Sequence, residues 1–207
     1  MESIDGGRRP AKLSVRVRVA FWRTIAGSSF VHPTFSHNSQ GAKPTTTTRE
    51  QEQWNEIVND PALRELPYKV ETNAQGQILL NPHTARHSEL QERIQEILRE
   101  YAPAGRQPPE YPIATPEGVK QADVVWMSRD RLQEMRTTGD PPTLAPEICI
   151  EVLSESNTVE EMTEKRALYR DSGAEEVWIV EQDGRIRFFV DEEIESSQIA
   201  PDVPDRV

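Results

Sequence analysis

The chain has a single cysteine, Cys149, among its 207 residues. It therefore has no internal disulfide, and because Cys149 lies in an apolar run, a buried thiol in a reduced, cytoplasmic setting is expected. Aromatic residues are sparse at 6% and the hydrophobic fraction is 35%, which implies that part of the chain stands outside the core. No apolar run approaches the ~18 residues that a membrane-spanning helix needs, so no membrane span is expected. There is no CxxC pair, no GxSxG elbow and no glycine-rich phosphate loop. Those absences remove the sequence signals of zinc ribbons, serine hydrolases and P-loop nucleotide enzymes.

Charge is unevenly spread. Residues 1–46 hold seven Lys/Arg against two acids, Glu2 and Asp5, and the remaining chain holds 17 basic and 33 acidic residues. The acidic remainder weighs against a broad electrostatic platform for nucleic acid, whose affinity comes from neutralised phosphates. It leaves room for a local basic cleft or a metal ion. Residues 1–46 read as a disordered or non-native extension, rich in Arg, Ser, Gly and Thr, and their composition is also that of a transit peptide.

Three divisions follow: the extension 1–46, an α/β domain over 47–190, and an acidic, proline-interrupted tail over 191–207. The domain opens with a helix near Thr47, where Thr47 and Glu50 fit a capping box. A hairpin follows in YKVETNAQGQILLNP, with strands Tyr68–Glu71 and Gln77–Leu80. Leu90, Ile94, Ile97, Leu98 and Tyr101 place one buried stripe on a long helix over Ala85–Tyr101. Strands are expected at Tyr111–Ile113, Lys120–Met127 and Pro146–Leu153. A helix from about Thr158 to Asp171 comes next, with Asn157 as its cap and Gly173 at its end. Strands Glu176–Val180 and Arg185–Val190 flank Asp183-Gly184, a hairpin signal. The order predicts one central mixed β-sheet flanked by helices.

The chemistry concentrates in PEICIEVLSESN, Pro146 to Asn157. Glu151 sits in an apolar strand, where an ionised carboxylate is costly unless a cation meets it. Asp123 occupies a similar place in the preceding strand. By strand alternation Asp123 shares a face with Val125 and Met127, and Glu151 shares one with Glu147 and Cys149. If the strands are neighbours, the two carboxylates converge, and a hard divalent cation would relieve their repulsion. Lys165 falls within the apolar stripe of the following helix, near Leu168, Tyr169 and Met162, so it is expected to point inward. The bland alternatives are an ion pair of Glu151 with Lys165 or Arg166, an exposed Asp123, and a snorkelling Lys165.

From Thr47 to Phe189 the chain resembles the PD-(D/E)xK nuclease superfamily, and within it the Uma-two family grouped with restriction endonucleases. The resemblance rests on YKVETNAQGQILLNP before a helix led by His87, then EGVKQADVVWMS, APEICIEVLSESN, EMTEKRALYRDSGAEEVWIV and GRIRFFV. It implies a restriction-endonuclease-like core and Mg²⁺- or Mn²⁺-dependent hydrolysis of DNA phosphodiesters. Asp123 and Glu151 would be the metal-binding acids, the Val152 carbonyl a further ligand, Lys165 the catalytic lysine and His87 an accessory residue. The superfamily pattern has a lysine two residues after the second acid, where this chain has Leu153, so Lys165 would be a migrated replacement. The alternative is a catalytically weakened nuclease fold that binds DNA or protein without cutting. Many nucleases of this fold act as dimers, so a homodimer is a further expectation. A phosphoesterase acting on a small substrate is a third reading, which a substrate panel separates.

Overall fold

The computed structural model describes residues 48–155 and 157–207. The extension 1–46, with His32 and His37, and Thr47 of the expected capping box lie outside the described residues.

The chain begins with α1 (Thr48–Asn59) and α2 (Pro61–Arg64), the latter capped by Asp60, whose side chain accepts from the Ala62 N–H. The hairpin is real but shifted one residue from expectation, with β1 at Lys69–Thr72 and β2 at Ile78–Asn81, antiparallel to each other. These strands form their own two-stranded sheet. The long helix α3 spans Ala85–Tyr101 as expected, with Thr84 as its cap. Then come β3 (Pro109–Thr115), β4 (Gly118–Trp126), α4 (Arg129–Arg136), β5 (Ile148–Val152), α5 (Val159–Asp171), β6 (Glu176–Val180), β7 (Ile186–Phe189) and β8 (Glu193–Ile194).

Strands β3 to β8 form one six-stranded sheet in sequence order. Every pairing is antiparallel except β5 with β6, which run parallel. A parallel pair cannot be joined by a tight turn and needs a crossover, which α5 provides. Its cap is Thr158, one residue later than the sequence suggested: Thr158 Oγ1 accepts from the Glu161 N–H at 3.1 Å. Asn157 is otherwise engaged, because its Oδ1 accepts from the Ser154 N–H at 2.8 Å. Gly173 ends the helix at φ 98°, a left-handed conformation suited to glycine.

The alternation of β4 and β5 divides the core into two layers. On one side Val124, Trp126, Ile148 and Ile150 pack with Leu90, Ile94 and Leu98 of α3. On the other, Val125, Met127 and Cys149 pack with Met135 of α4 and with Met162 and Tyr169 of α5. A smaller cluster joins Trp54, Ile57 and Leu63 to Ala114 and Val119.

The acidic segment 191–207 is a packed part of the fold. It contributes β8, and Ala200 and Val203 join the α3-side core. Buried Glu176 fastens it: Oε1 accepts from the Gln198 and Ile199 N–H groups at 2.6 and 2.9 Å. Among the described residues no helix is long and apolar enough to cross a membrane.

Candidate active site

The ladder between β4 and β5 pairs Trp126 with Ile148, Val125 with Cys149 and Val124 with Ile150, and stops there. Asp123 and Glu151 are next on each strand. Asp123 Oδ2 accepts the Val152 N–H at 2.7 Å, so a side chain takes up the strand donor where the ladder ends. On its other side the Asp123 carbonyl accepts from Gln91 Nε2 of α3 at 2.7 Å. The neighbouring strand is irregular at the same level: Glu110 has φ 49° and lies between the paired Pro109 and Tyr111. The backbone around Asp123 is thus opened and held by side chains.

The hairpin docks on β4 at this point. Thr72 Oγ1 accepts from the Val119 N–H at 2.7 Å, Lys120 Nζ donates to the Thr72 carbonyl at 3.0 Å, and Glu71 Oε1 accepts from the Gln121 N–H at 3.0 Å. The docking is close enough to require Gly118, where an added Cβ would stand 2.6 Å from the Thr72 carbonyl oxygen. It carries Lys69 and Glu71 into the core.

Five charged groups meet there. Their exposures are 5% for Lys69, 3% for Glu71, 1% for Asp123, 3% for Glu151 and 7% for Lys165, so water can solvate none of them well. Lys69 Nζ lies 2.6 Å from Asp123 Oδ1, 3.6 Å from Glu151 Oε2 and 3.8 Å from Glu71 Oε1. Lys165 Nζ lies 3.0 Å from Glu71 Oε1 and 3.3 Å from Glu151 Oε2. Tyr169, one helical turn beyond Lys165, donates to Glu151 Oε1 at 2.6 Å. His87 Nε2 lies 3.4 Å from Asp123 Oδ1 and is buried without a hydrogen-bond partner. The His83 ring stacks obliquely on His87 with centroids 5.2 Å apart.

Burial alone would raise every carboxyl pKa in this cluster. At Asp123 burial is outweighed by Lys69 and by the His87 imidazole that faces the carboxylate, leaving the group well below the usual carboxylate range. At Glu71 burial is outweighed by Lys165, Lys69 and the Gln121 N–H, and the pKa is again lowered. Glu151 goes the other way. Burial, with Asp123 and Glu71 as negative neighbours, prevails over Lys165 and Lys69, and its pKa is raised. For Lys69 and Lys165 burial opposes the charged form, but the surrounding carboxylates prevail and both pKa values rise.

The five residues expected from the sequence are brought together. Asp123, Glu151 and Lys165 converge, the Val152 backbone touches Asp123, and His87 faces the same carboxylate instead of solvent. Arg166, the other partner considered for Glu151, stacks over the Phe189 ring at 4.0 Å. Leu153, at the pattern's usual lysine position, packs against the α5-side cluster. Sequence reasoning missed Lys69, Glu71 and the role of Tyr169. Their signals were present. Lys69 and Glu71 flank Val70 on one strand face, and Tyr169 follows Lys165 at the four-residue spacing that stacks side chains on a helix.

Three converging carboxylates are the kind of oxygen donor that a hard divalent cation takes. As placed, the described residues contain no group of three or more His, Cys, Asp and Glu arranged to hold a metal ion. Lysine ammoniums stand among the carboxylates instead.

A family model named Uma2, described as "Putative restriction endonuclease", matches residues 53–204. The chain belongs to this family. A solved structure described as a putative nuclease belonging to DUF820, from Anabaena variabilis, superposes with a TM-score of 0.50 at 15% identity. The match covers 61% of this chain and 76% of that one, and it supports the mixed α/β fold described above. Comparison with curated proteins gave no match.

Proposed function

We propose that this Uma2 protein is a metal-dependent endonuclease that hydrolyses DNA phosphodiester bonds, with Mg²⁺ or Mn²⁺ held by Asp123, Glu151 and the Val152 carbonyl. The observation that carries the reading is the convergence of Asp123 and Glu151 at the end of the β4–β5 ladder, with a lysine at hydrogen-bonding distance from each. A divalent cation bound there would polarise a phosphoryl oxygen and lower the pKa of an attacking water.

The chain's own groups divide the remaining work. In the ion-free protein Lys69 and His87 favour the charged form of Asp123, the form in which it could serve as a ligand. Tyr169 and Lys165 fix the two oxygens of Glu151, as partners behind a ligand do. Lys165 is itself steadied by Glu71, so its ammonium is preorganised for the negative charge that develops on a phosphate under attack. His87, buried beside Asp123, presents an unpartnered ring nitrogen to the same region. Family membership supports the nucleic-acid substrate, and the migrated lysine is compatible with it because Lys165 reaches Glu151 from α5.

Supercoiled plasmid tests the reading. The purified protein should nick it in Mg²⁺ or Mn²⁺ and not in EDTA, and Asp123→Ala and Glu151→Ala should each abolish nicking. Nicking that survives in both variants would overturn the assignment.

A further inference from the structure

Lys69 is the most centrally placed cation in the cluster. Among the described residues it alone lies within 4.0 Å of Asp123, Glu151 and Glu71 together, and its closest partner, Asp123 at 2.6 Å, is one of the two acids of the β4–β5 pair. Among the described residues Lys165 pairs with Glu71 and Glu151 and not with Asp123. The two lysines also have different anchors. Lys165 projects from a helix of the main fold beside Tyr169, whereas Lys69 comes from a hairpin with its own two-stranded sheet.

We infer that Lys69 is a placeholder cation: its ammonium occupies the position between Asp123 and Glu151 that a divalent ion takes, so Lys69 competes with the metal for this site. This rests on the metal-binding reading above. An ammonium and a dication cannot both hold the same pair of carboxylate oxygens, because their repulsion in a poorly hydrated site is large. Loading must therefore move the Lys69 side chain off Asp123. A lysine is suited to this, since its flexible stem carries a compact charge that can swing without altering the backbone. Lys69 would then keep three carboxylates compatible with a buried location in the ion-free protein, at the cost of weaker binding of the ion. Lys165 shares Glu151 Oε2 with Lys69 but has no bond to Asp123 and has Glu71 as its nearer partner, so it can stay in place.

The test is calorimetric titration of the full chain with Mn²⁺, read as affinity and without any DNA. Lys69→Gln should bind Mn²⁺ about tenfold or more tightly than the parent, and adding Asp123→Asn to Lys69→Gln should abolish that binding. Lys165→Gln should gain less. Removing one positive charge raises cation affinity at any nearby position, so a charge-matched variant is decisive. Lys69→Gln with Glu71→Gln removes one charge of each sign, and it also protects against misfolding of the single variant. Tighter binding in this double variant supports the placeholder. Unchanged or weaker Mn²⁺ binding in folded Lys69 variants, with the parent's binding still lost in Asp123→Asn, overturns it while leaving the metal site standing. Absence of Asp123-dependent binding in parent and variants alike overturns both.

Discussion

Tyr169 donates its hydroxyl hydrogen to Glu151 Oε1 over 2.6 Å, and Lys165, one turn earlier on α5, reaches the other oxygen at 3.3 Å. Both oxygens of a buried carboxylate are therefore occupied from a single helix face. Tyr169 is fully buried, so its hydroxyl has no water to turn to, and burial beside Glu151 pushes its pKa well up. It remains a donor throughout the ordinary pH range. Tyr169→Phe keeps the ring and removes only this bond to a charged acceptor, a loss of about 2 kcal/mol. Urea unfolding of the two proteins should show that difference in midpoint with an unchanged slope.

Gly118 sets how closely the hairpin can approach β4. It has φ 93°, and an added Cβ would meet the Thr72 carbonyl oxygen at 2.6 Å and the Asn73 carbonyl oxygen at 2.8 Å. Neither is the end of a flexible side chain, so the backbone itself must give. Gly118→Ala should cost about 1–3 kcal/mol for the conformation alone. It should also loosen the hairpin, and with it Lys69 and Glu71. Hydrogen exchange should quicken at the Val119 and Gln121 amides, whose acceptors are Thr72 and Glu71. Exchange in β6, on the other side of β5, should stay as it was.

The elements that could be read from sequence are those with one strong local cause. α3 shows its stripe every three or four residues, and β5 is a short apolar run closed by Glu151. α3 appears where expected, and β5, Ile148–Val152, lies inside the expected strand Pro146–Leu153. Asp123, Glu151 and Lys165 were legible because each is a charge out of place in an apolar pattern. Lys69 and Glu71 were not, because charged residues alternating with Val70 in a short strand are also what a solvated hairpin looks like. Only the docking of that hairpin on β4, a contact between residues about 50 positions apart, buries them. The 191–207 segment hid its role for a related reason. Its acids and prolines suggest solvent, while Ala200 and Val203 find the core through bonds to Glu176 that no local pattern announces.

Glu176 should therefore behave as a structural residue. Its Oε1 takes two backbone N–H groups of the 191–207 segment, and Oε2 takes Trp178 Nε1 at 2.8 Å. Glu176→Ala strands three donors at once, the buried Trp178 Nε1 and the part-buried Gln198 and Ile199 amides. A stranded buried donor costs roughly 1–3 kcal/mol and the amides that water can reach cost less, so the total is about 2 kcal/mol or more. The expected readout is a large fall in melting temperature, together with faster protease cleavage near Gln198. A variant with native-like resistance at that site would show that the segment is held by its apolar contacts alone.

The acid cluster also fixes the sign of a pH dependence. Glu151 has a raised pKa in the folded protein, so it binds its proton there more readily than in the unfolded chain. Its contribution is complete below the unfolded value of about 4.3 and is lost as pH rises through the folded value. Asp123 and Glu71 have lowered pKa values, so their contributions are present above about 4 and are lost as pH falls further. Lowering the pH from neutral should first stabilise the protein through Glu151 and then, below about 4, destabilise it through the other two. Melting temperatures measured from pH 7 to 3 separate the two limbs. Glu151→Gln should remove the cluster's gain between neutrality and about pH 4.3, and Asp123→Asn should shrink the loss below about 4. Because other surface carboxylates titrate in the same range, the comparison is each variant's curve minus the parent's. A Glu151→Gln difference curve that is flat above about pH 4.3 would mean that the two lysines, and not burial with the neighbouring acids, dominate at Glu151.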